Sequence, residues 1–258
     1  SQTYYLSVRG KNALGESSTI TSDGVFIDYE NPKIDAVTEL KEDVEWLGPN
    51  TAGHIFVHAT DNSGIIKHEF SIGTQNGLDD VIPWTESDSS SIIFDIANLS
   101  EKETYISNAR VTDRVGFISS ASSDSFKMDI SDPITGTLSI GDAYQSDTAN
   151  VTFTWSGFID EQSGINDYHY ALGTEPGTEN IIPRTPLGLN ADFSSLAITI
   201  GSLALEVNQT YYGTVYAIDK VNNETFAISD GLTIDRDGPE DGIITDGGPV
   251  DIDYTNDT

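Results

Sequence analysis

The chain has no cysteine, a single methionine, four histidines and only twelve basic residues. Without cysteine no disulfide can hold a fold together, so each folded unit must bury a sufficient core of its own. The absence of a Cys set or a His-x-x-x-His helix argues against zinc. Twelve Lys and Arg face 42 acidic residues, for a net charge of -30. No basic cluster exists to neutralise phosphates, which excludes nucleic acid as a partner and disfavours anionic membrane surfaces. No apolar run approaches the ~20 residues of a membrane span, so direct membrane insertion is not expected. Glycine-rich phosphate loops and Gly-x-Ser-x-Gly elbows are missing as well, and no catalysis is expected. Paired carboxylates carry little information in so acidic a chain.

What the chain does have is repetition. Gln2-Thr3-Tyr4-Tyr5-Leu6-Ser7-Val8 returns as Gln209-Thr210-Tyr211-Tyr212-Gly213-Thr214-Val215, with a weaker copy from Glu103 to Ala109. Each copy leads to a proline, Pro32, Pro133 or Pro239, spaced 101 and 106 residues apart. Such a period indicates tandem modules. Within them apolar residues alternate with polar ones, as in Val151, Phe153 and Trp155, or Tyr211, Gly213, Val215 and Ala217. This is the pattern of half-buried antiparallel strands. Turn residues separate the strands at Asn62-Ser63-Gly64, Asn76-Gly77, Ser163-Gly164 and Pro176-Gly177, and no amphipathic helix is expected.

Two full modules align. Asp61-Asn62-Ser63-Gly64-Ile65 matches Asp160 to Ile165, His68 to Thr74 matches Tyr168 to Thr174, and Val81-Ile82-Pro83-Trp84 matches Ile181-Ile182-Pro183-Arg184. Leu99 and Leu205 each precede a tyrosine, Tyr105 and Tyr211, by six residues. The pattern Leu205…Thr210-Tyr211-x-x-x-Val215-x-Ala217-x-Asp219 resembles the late strands of fibronectin type III domains, and Thr3 to Ser17 is closer still. The resemblance covers nearly the whole chain. It implies an all-β chain of tandem antiparallel β-sandwiches, each with one sheet of three strands and one of four, or a strand variant. It also implies that Tyr4, Tyr105 and Tyr211 are core tyrosines of the kind that form a tyrosine corner. Trp155 falls on that family's early-strand core tryptophan, with Val57 or a neighbour in its place in the preceding module. The Ser-Gly-Ile…Gly-Thr subpattern resembles repeats of large bacterial surface and secreted proteins.

The expected boundaries are 1–29 for the last strands of one module, 30–130 and 131–236 for two complete modules, and 237–258 for the start of another. Asp253 to Thr258 echoes Tyr144 to Thr148. Sequence beyond both ends is expected to complete the partial modules, which in isolation should fray or associate. The links are short and proline-containing, which favours limited bending. Trp155, Tyr105, Tyr211, Val215 and Ile165 are expected in the cores.

Candidate site residues are few. His54 and His58 share a strand face but stand ~13 Å apart, too far for one metal ion. Trp84 is the best candidate for an exposed sugar-stacking ring; Trp46 is weaker. Sequons occur at Asn98, Asn150, Asn208, Asn223 and Asn256. Calcium, which takes six to eight oxygen ligands, is the one ion worth weighing. The resemblance places the turns at Asp61 or Asp160 and at Asp113 or Asp219 at one end of each module, with the linker acids Asp28 and Glu30, or Asp129 and Asp132, close by. Two metal groups are thereby expected: Glu30, Asp61 and Asp113, and Asp132, Asp160 and Asp219. The competing expectation is that these aspartates only cap their own turns. No cofactor is required. The composition and the repeats together predict a non-catalytic stalk of a large extracellular adhesin or surface filament, whose partners are neighbouring modules, other surface proteins or glycans. The alternative is an accessory spacer or weak carbohydrate-binding tail of a secreted polysaccharide-degrading enzyme.

Overall fold

The computed structural model describes residues 1–41, 44–101, 103–188 and 196–242. Expectations for 253–258 and for the Asn256 sequon lie outside them. The chain divides into two compact units. One holds residues 1–133 with 159–166 and 218–224, and the other holds 134–158, 167–217 and the chain from 225.

The first unit opens with β1 (Gln2–Tyr4), β2 (Ser7–Lys11), β3 (Ser17–Thr21) and β4 (Val25–Ile27). These make two small antiparallel pairs, β1 with β4 and β2 with β3. Among the described residues neither pair has an opposing sheet to cover it, and apolar side chains are exposed. Tyr4 is 51% exposed, which corrects its expected core position.

A complete sandwich follows from β5 (Lys33–Glu39), β6 (Trp46–Leu47), β7 (Gly53–Thr60), β8 (Ile65–Gly73), β9 (Ile82–Ser87), β10 (Ser91–Phe94), β11 (Thr104–Asp113) and β12 (Ile118–Met128). Between β10 and β11 lies a single 3-10 turn, Ile96–Asn98, capped by the Asp95 side chain. One sheet has the order β10-β7-β5 and the other β6-β12-β11-β8-β9. This is the expected three-plus-four arrangement with one addition. The two-residue strand β6 pairs with β12, and it does so in parallel. Alternation sends Ile55 and Val57 from one sheet, and Phe70, Ile72, Tyr105, Val111 and Phe126 from the other, into a common core. Each large side chain so buried stabilises the fold by about 1.5–3 kcal/mol. The β11–β12 register shifts between Ile106 and Asn108. There the Ser107 N–H, which the ladder leaves over, donates to the buried Ser123 Oγ at 3.1 Å.

The second sandwich repeats the plan in β13 (Thr137–Ser139), β14 (Tyr144–Gln145), β15 (Val151–Ser156), β16 (Ile165–Gly173), β17 (Ile182–Pro186), β18 (Ala197–Ile200), β19 (Thr210–Asp219), β20 (Glu224–Ile228) and β21 (Leu232–Ile234). Its sheets are β13-β15-β18 and β14-β21-β19-β16-β17, with β20 also on β19. Again the short strand, β14, pairs in parallel, here with β21. Trp155 pairs with Leu138 as Val57 pairs with Val37, so Val57 is its counterpart. Trp155, Phe153, Tyr211 and Val215 are buried. Ile165 is only half-buried, because it opens β16 directly after the Ser163–Gly164 turn, at the end of the core rather than inside it. Gly213 allows β19 to approach its neighbours: a Cβ there would meet Ile140 at 2.5 Å and Phe153 at 2.8 Å.

Both sandwiches carry the tyrosine corner. The Tyr105 hydroxyl accepts from the Ser100 N–H at 2.7 Å, and the Tyr211 hydroxyl accepts from the Glu206 N–H at 2.8 Å. A phenol whose ring fills the core and whose oxygen ties down the chain just upstream is a mark of this sandwich class. Strand order, three-plus-four sheets and paired corners define the chain as tandem fibronectin type III-like β-sandwiches.

Candidate metal centre

The turn after β7 begins with Asp61, whose Oδ1 accepts from the Ser63 N–H and Oγ–H, both at 2.7 Å, and from the Gly64 N–H at 3.1 Å. Gly64 takes φ +90°, a conformation that favours glycine. At the end of β11, Asp113 Oδ1 accepts from the N–H groups of Val115, Gly116 and Phe117 at 2.7–2.9 Å. A backbone bond from Arg114 N to Gly64 O at 3.0 Å joins the two turns. Asp160 and Asp219 repeat this. Asp160 Oδ1 caps Gln162 and Gly164, Asp219 Oδ1 caps Val221 and Asn223, and Lys220 N donates to Gly164 O at 3.2 Å. The expectation of turn caps therefore describes one oxygen of each aspartate, and the second oxygen remains to be placed.

A third aspartate closes each group. Asp28, Asp61 and Asp113 bring carboxylate oxygens within 4.8 Å of one another, and so do Asp129, Asp160 and Asp219. All six residues belong to the first compact unit. Four of the six expected site residues, Asp61, Asp113, Asp160 and Asp219, are in these groups. Glu30 and Asp132 are not, and Asp28 and Asp129 stand in their places. The reason is local geometry. Asp28 and Asp129 are the first residues after β4 and β12, and both are buried. Glu30 instead accepts from the exposed Asn62 amide, and Asp132 is exposed. A signal for the correct residues was present: Asp28, Asp129 and Asp235 each stand four residues before Pro32, Pro133 and Pro239. Each also accepts from the N–H two residues on.

The two groups differ in how they are satisfied. Asp113 is fully buried and Asp28 is 7% exposed, and the Oδ2 of each has no hydrogen-bond donor. The Ser1 hydroxyl holds the Asp28 carboxyl below its ordinary range, against burial, with lesser help from Glu30 N–H and Ser63. The Ser63 hydroxyl has one proton, however, and it goes to Asp61. In the second group, Asn223 Nδ2 stands among the carboxylates. It donates to Asp219 Oδ2 at 2.8 Å and approaches Asp129 Oδ1 at 3.4 Å, while Ser163 N–H serves Asp129 Oδ2 at 3.1 Å. Burial pushes the Asp219 carboxyl up, its backbone and Asn223 donors pull it back, and the charge of Asp129 adds to the rise.

The aromatic candidates have other employment. Trp84 is half-buried with the Arg110 guanidinium 4.4 Å above its ring, which corrects the expectation of a free stacking face. Lys127 lies 5.3 Å over Trp46. His169 Nδ1 accepts from Arg184 Nε at 3.0 Å.

No family model matches the chain, and no curated protein is similar to it. Among solved structures, fibronectin(III)-like modules of Clostridium thermocellum CbhA are similar at 14% identity and a TM-score of 0.45, over 79% of this chain and 94% of that one. A segment of titin is similar at 12% identity and 0.48, over 91% and 75%. A 1.5-MDa bacterial ice-binding adhesin is similar at 14% and 0.44, over 90% and 74%. At these TM-scores the likeness adds nothing to the strand order and the tyrosine corners, which carry the fold by themselves.

Proposed function

We propose that this chain is a non-catalytic spacer segment of a larger extracellular surface protein of the adhesin or filament kind. The observation that carries this is duplication of one sandwich plan. The same sandwich is built twice, with the same tyrosine corner, the same turn-to-turn backbone bond and the same Asp-x-x-x-Pro entry. A protein whose purpose is length gains by repeating one stable unit, whereas a binding or catalytic module has reason to diverge at one copy's loops. The net charge of -30 keeps such a surface solvated and resists self-association. No helix among the described residues is long and apolar enough to cross a membrane, and in this reading the immediate partners are neighbouring modules.

Single-molecule stretching tests this reading. A spacer made of two like sandwiches should give two unfolding events of similar force, each releasing roughly 100 residues, or about 350 Å of chain at ~3.5 Å per residue. One event, or two of very different force, would count against it. Saturable binding on a glycan array would favour a carbohydrate-binding role instead.

A further inference from the structure

We infer that Asp28, Asp61 and Asp113 form a divalent cation site of the calcium class. Three carboxylates from three separate segments, the end of β4, the turn after β7 and the end of β11, converge with oxygens no more than 4.8 Å apart. Two oxygens can touch one calcium ion when they lie within about twice its ~2.4 Å bond length of each other. The spacing is therefore one that a single ion can bridge.

Proximity alone would not carry this, because acidic residues crowd many surfaces. The second observation is the pair of orphaned oxygens. Asp28 Oδ2 and Asp113 Oδ2 are buried, in side chains more than nine-tenths buried, and no donor reaches them. A buried carboxylate oxygen without a donor or a cation is costly, and crowding it against two like charges makes it more so. The turns already spend their N–H groups on the Oδ1 atoms of Asp61 and Asp113. What remains is an all-oxygen, anionic donor set without sulfur or imidazole, which selects calcium or magnesium over zinc. Ligands drawn from three separate segments suit calcium, which tolerates irregular geometry, better than magnesium, which requires a near-ideal octahedron.

The second group sharpens the argument. Asp129, Asp160 and Asp219 repeat the geometry, yet there Asn223 Nδ2 donates to Asp219 Oδ2 at 2.8 Å and lies 3.4 Å from Asp129 Oδ1. Its counterpart after Asp113 is Phe117, which offers no side-chain donor. An ion entering the second group must first turn that amide away, so the first group holds the tighter site. This inference stands whether or not the chain is a spacer.

The test is calcium titration of the full chain after removal of divalent ions by a chelator, followed by calorimetry and thermal melting. We expect saturable binding that survives moderate monovalent salt, since coordination is not screening. At 100-fold excess over Kd the melting temperature should rise by roughly 10 °C. Asp113→Asn keeps the turn-capping oxygen and should weaken the tightest site at least tenfold. Asp61→Asn, at a half-buried position, should do the same and guards against a folding defect in the first variant. Asp219→Asn should leave the tightest site intact. The inference is overturned if the wild type binds no calcium at 10 mM. Wild-type affinity in folded Asp113→Asn and Asp61→Asn proteins would overturn it equally.

Discussion

The two sandwiches meet the same packing requirement with different side chains, and the sharpest case lies on the face of the larger sheet. In the first, Arg110 on β11 lies over Trp84 on β9 and makes a bidentate pair with Glu69 on β8, at 2.9 and 2.6 Å. In the second, Arg184 on β17 lies 4.0 Å from the ring of Tyr216 on β19 and donates to His169 on β16. Trp84 and Arg184 each follow Ile-Pro, and Arg110 and Tyr216 each stand five residues after the corner tyrosine. The cation and the ring have therefore exchanged strands. What the sheet preserves is a flat cation on a flat ring across one strand gap, not a residue type at a position. The strand paired with β11 and β19 shows a similar liberty. β12 runs unbroken for 11 residues, while its counterpart is split into β20 and β21. In both, a serine, Ser123 or Ser229, satisfies the N–H at the irregularity, Ser107 or Gly213.

The comparison breaks most visibly in the cores. Trp155 and Val57 occupy equivalent positions, and both are buried. Trp155→Ala should cost about 3–5 kcal/mol, as large buried aromatics do. Val57→Ala removes two methyl groups and should cost about 2 kcal/mol. Because two units unfold, denaturant titration should show the loss in one transition only. A loss below about 1 kcal/mol for Trp155→Ala would mean that the strand pairing with Leu138 is wrong.

Acid should separate the sandwiches next. Arg110, with lesser help from Lys67, holds the Glu69 carboxyl well below its ordinary 4.5, at about 2, against the opposing effect of burial. A depressed carboxylate stabilises the fold above its unfolded pKa and loses that contribution as pH falls. The Glu69 contribution is thus complete above pH ~5 and fades between about 4.5 and 2. Allowing for the partly exposed Arg110, it amounts to about 1–3 kcal/mol. The second sandwich has His169 at this position, with Asp167 Oδ2 3.4 Å from its Nε2. Glu69→Gln should flatten the acid limb of the first transition and leave the second unchanged. An unaltered acid limb would show that the pair is screened.

The tyrosine corners should behave alike. Tyr105→Phe and Tyr211→Phe each keep the ring and delete the short hydrogen bond from backbone N–H, together with a longer one to Ser100 O at 3.4 Å in the case of Tyr105, at a cost of about 1 kcal/mol each. Unequal losses, with one near zero, would mean that the corner matters in only one sandwich.

Much of this was legible in the sequence because it depends on period and spacing. Alternation revealed the strands, the Ser-Gly turns followed Asp61 and Asp160, and the resemblance to fibronectin type III domains implied the tyrosine corners and the turns at Asp113 and Asp219. What escaped has physical reasons. β6 and β14 have two residues each, too short to show any period. Tyr4 follows the core pattern, but burial depends on an opposing sheet that no local pattern reports. Of the linker acids expected beside the turns, Glu30 and Asp132 are solvent-facing. Burial of the residue just after β4 and β12, together with the repeated Asp-x-x-x-Pro, singles out Asp28 and Asp129. The exchange of cation and ring was invisible to position-by-position alignment, which pairs Trp84 with Arg184 and finds nothing in common.

That exchange yields the smallest and most specific prediction. If the sheet requires only a cation on a ring, the first sandwich should accept the arrangement of the second. Trp84→Arg alone sets two guanidinium groups side by side and should destabilise. Arg110→Tyr alone removes the partner of Glu69 and leaves two rings, and should destabilise as well. Together they restore one cation and one ring with their strands exchanged, and the new Arg at position 84 lies across β8 from its old place, near Glu69. The double variant should therefore be more stable than the sum of the single losses by about 0.5–1 kcal/mol, the worth of a cation–π contact at a partly exposed site. Additivity within ~0.3 kcal/mol would show that the two arrangements are separate solutions to separate surroundings. The resemblance between Arg110–Trp84 and Arg184–Tyr216 would then be coincidence of geometry.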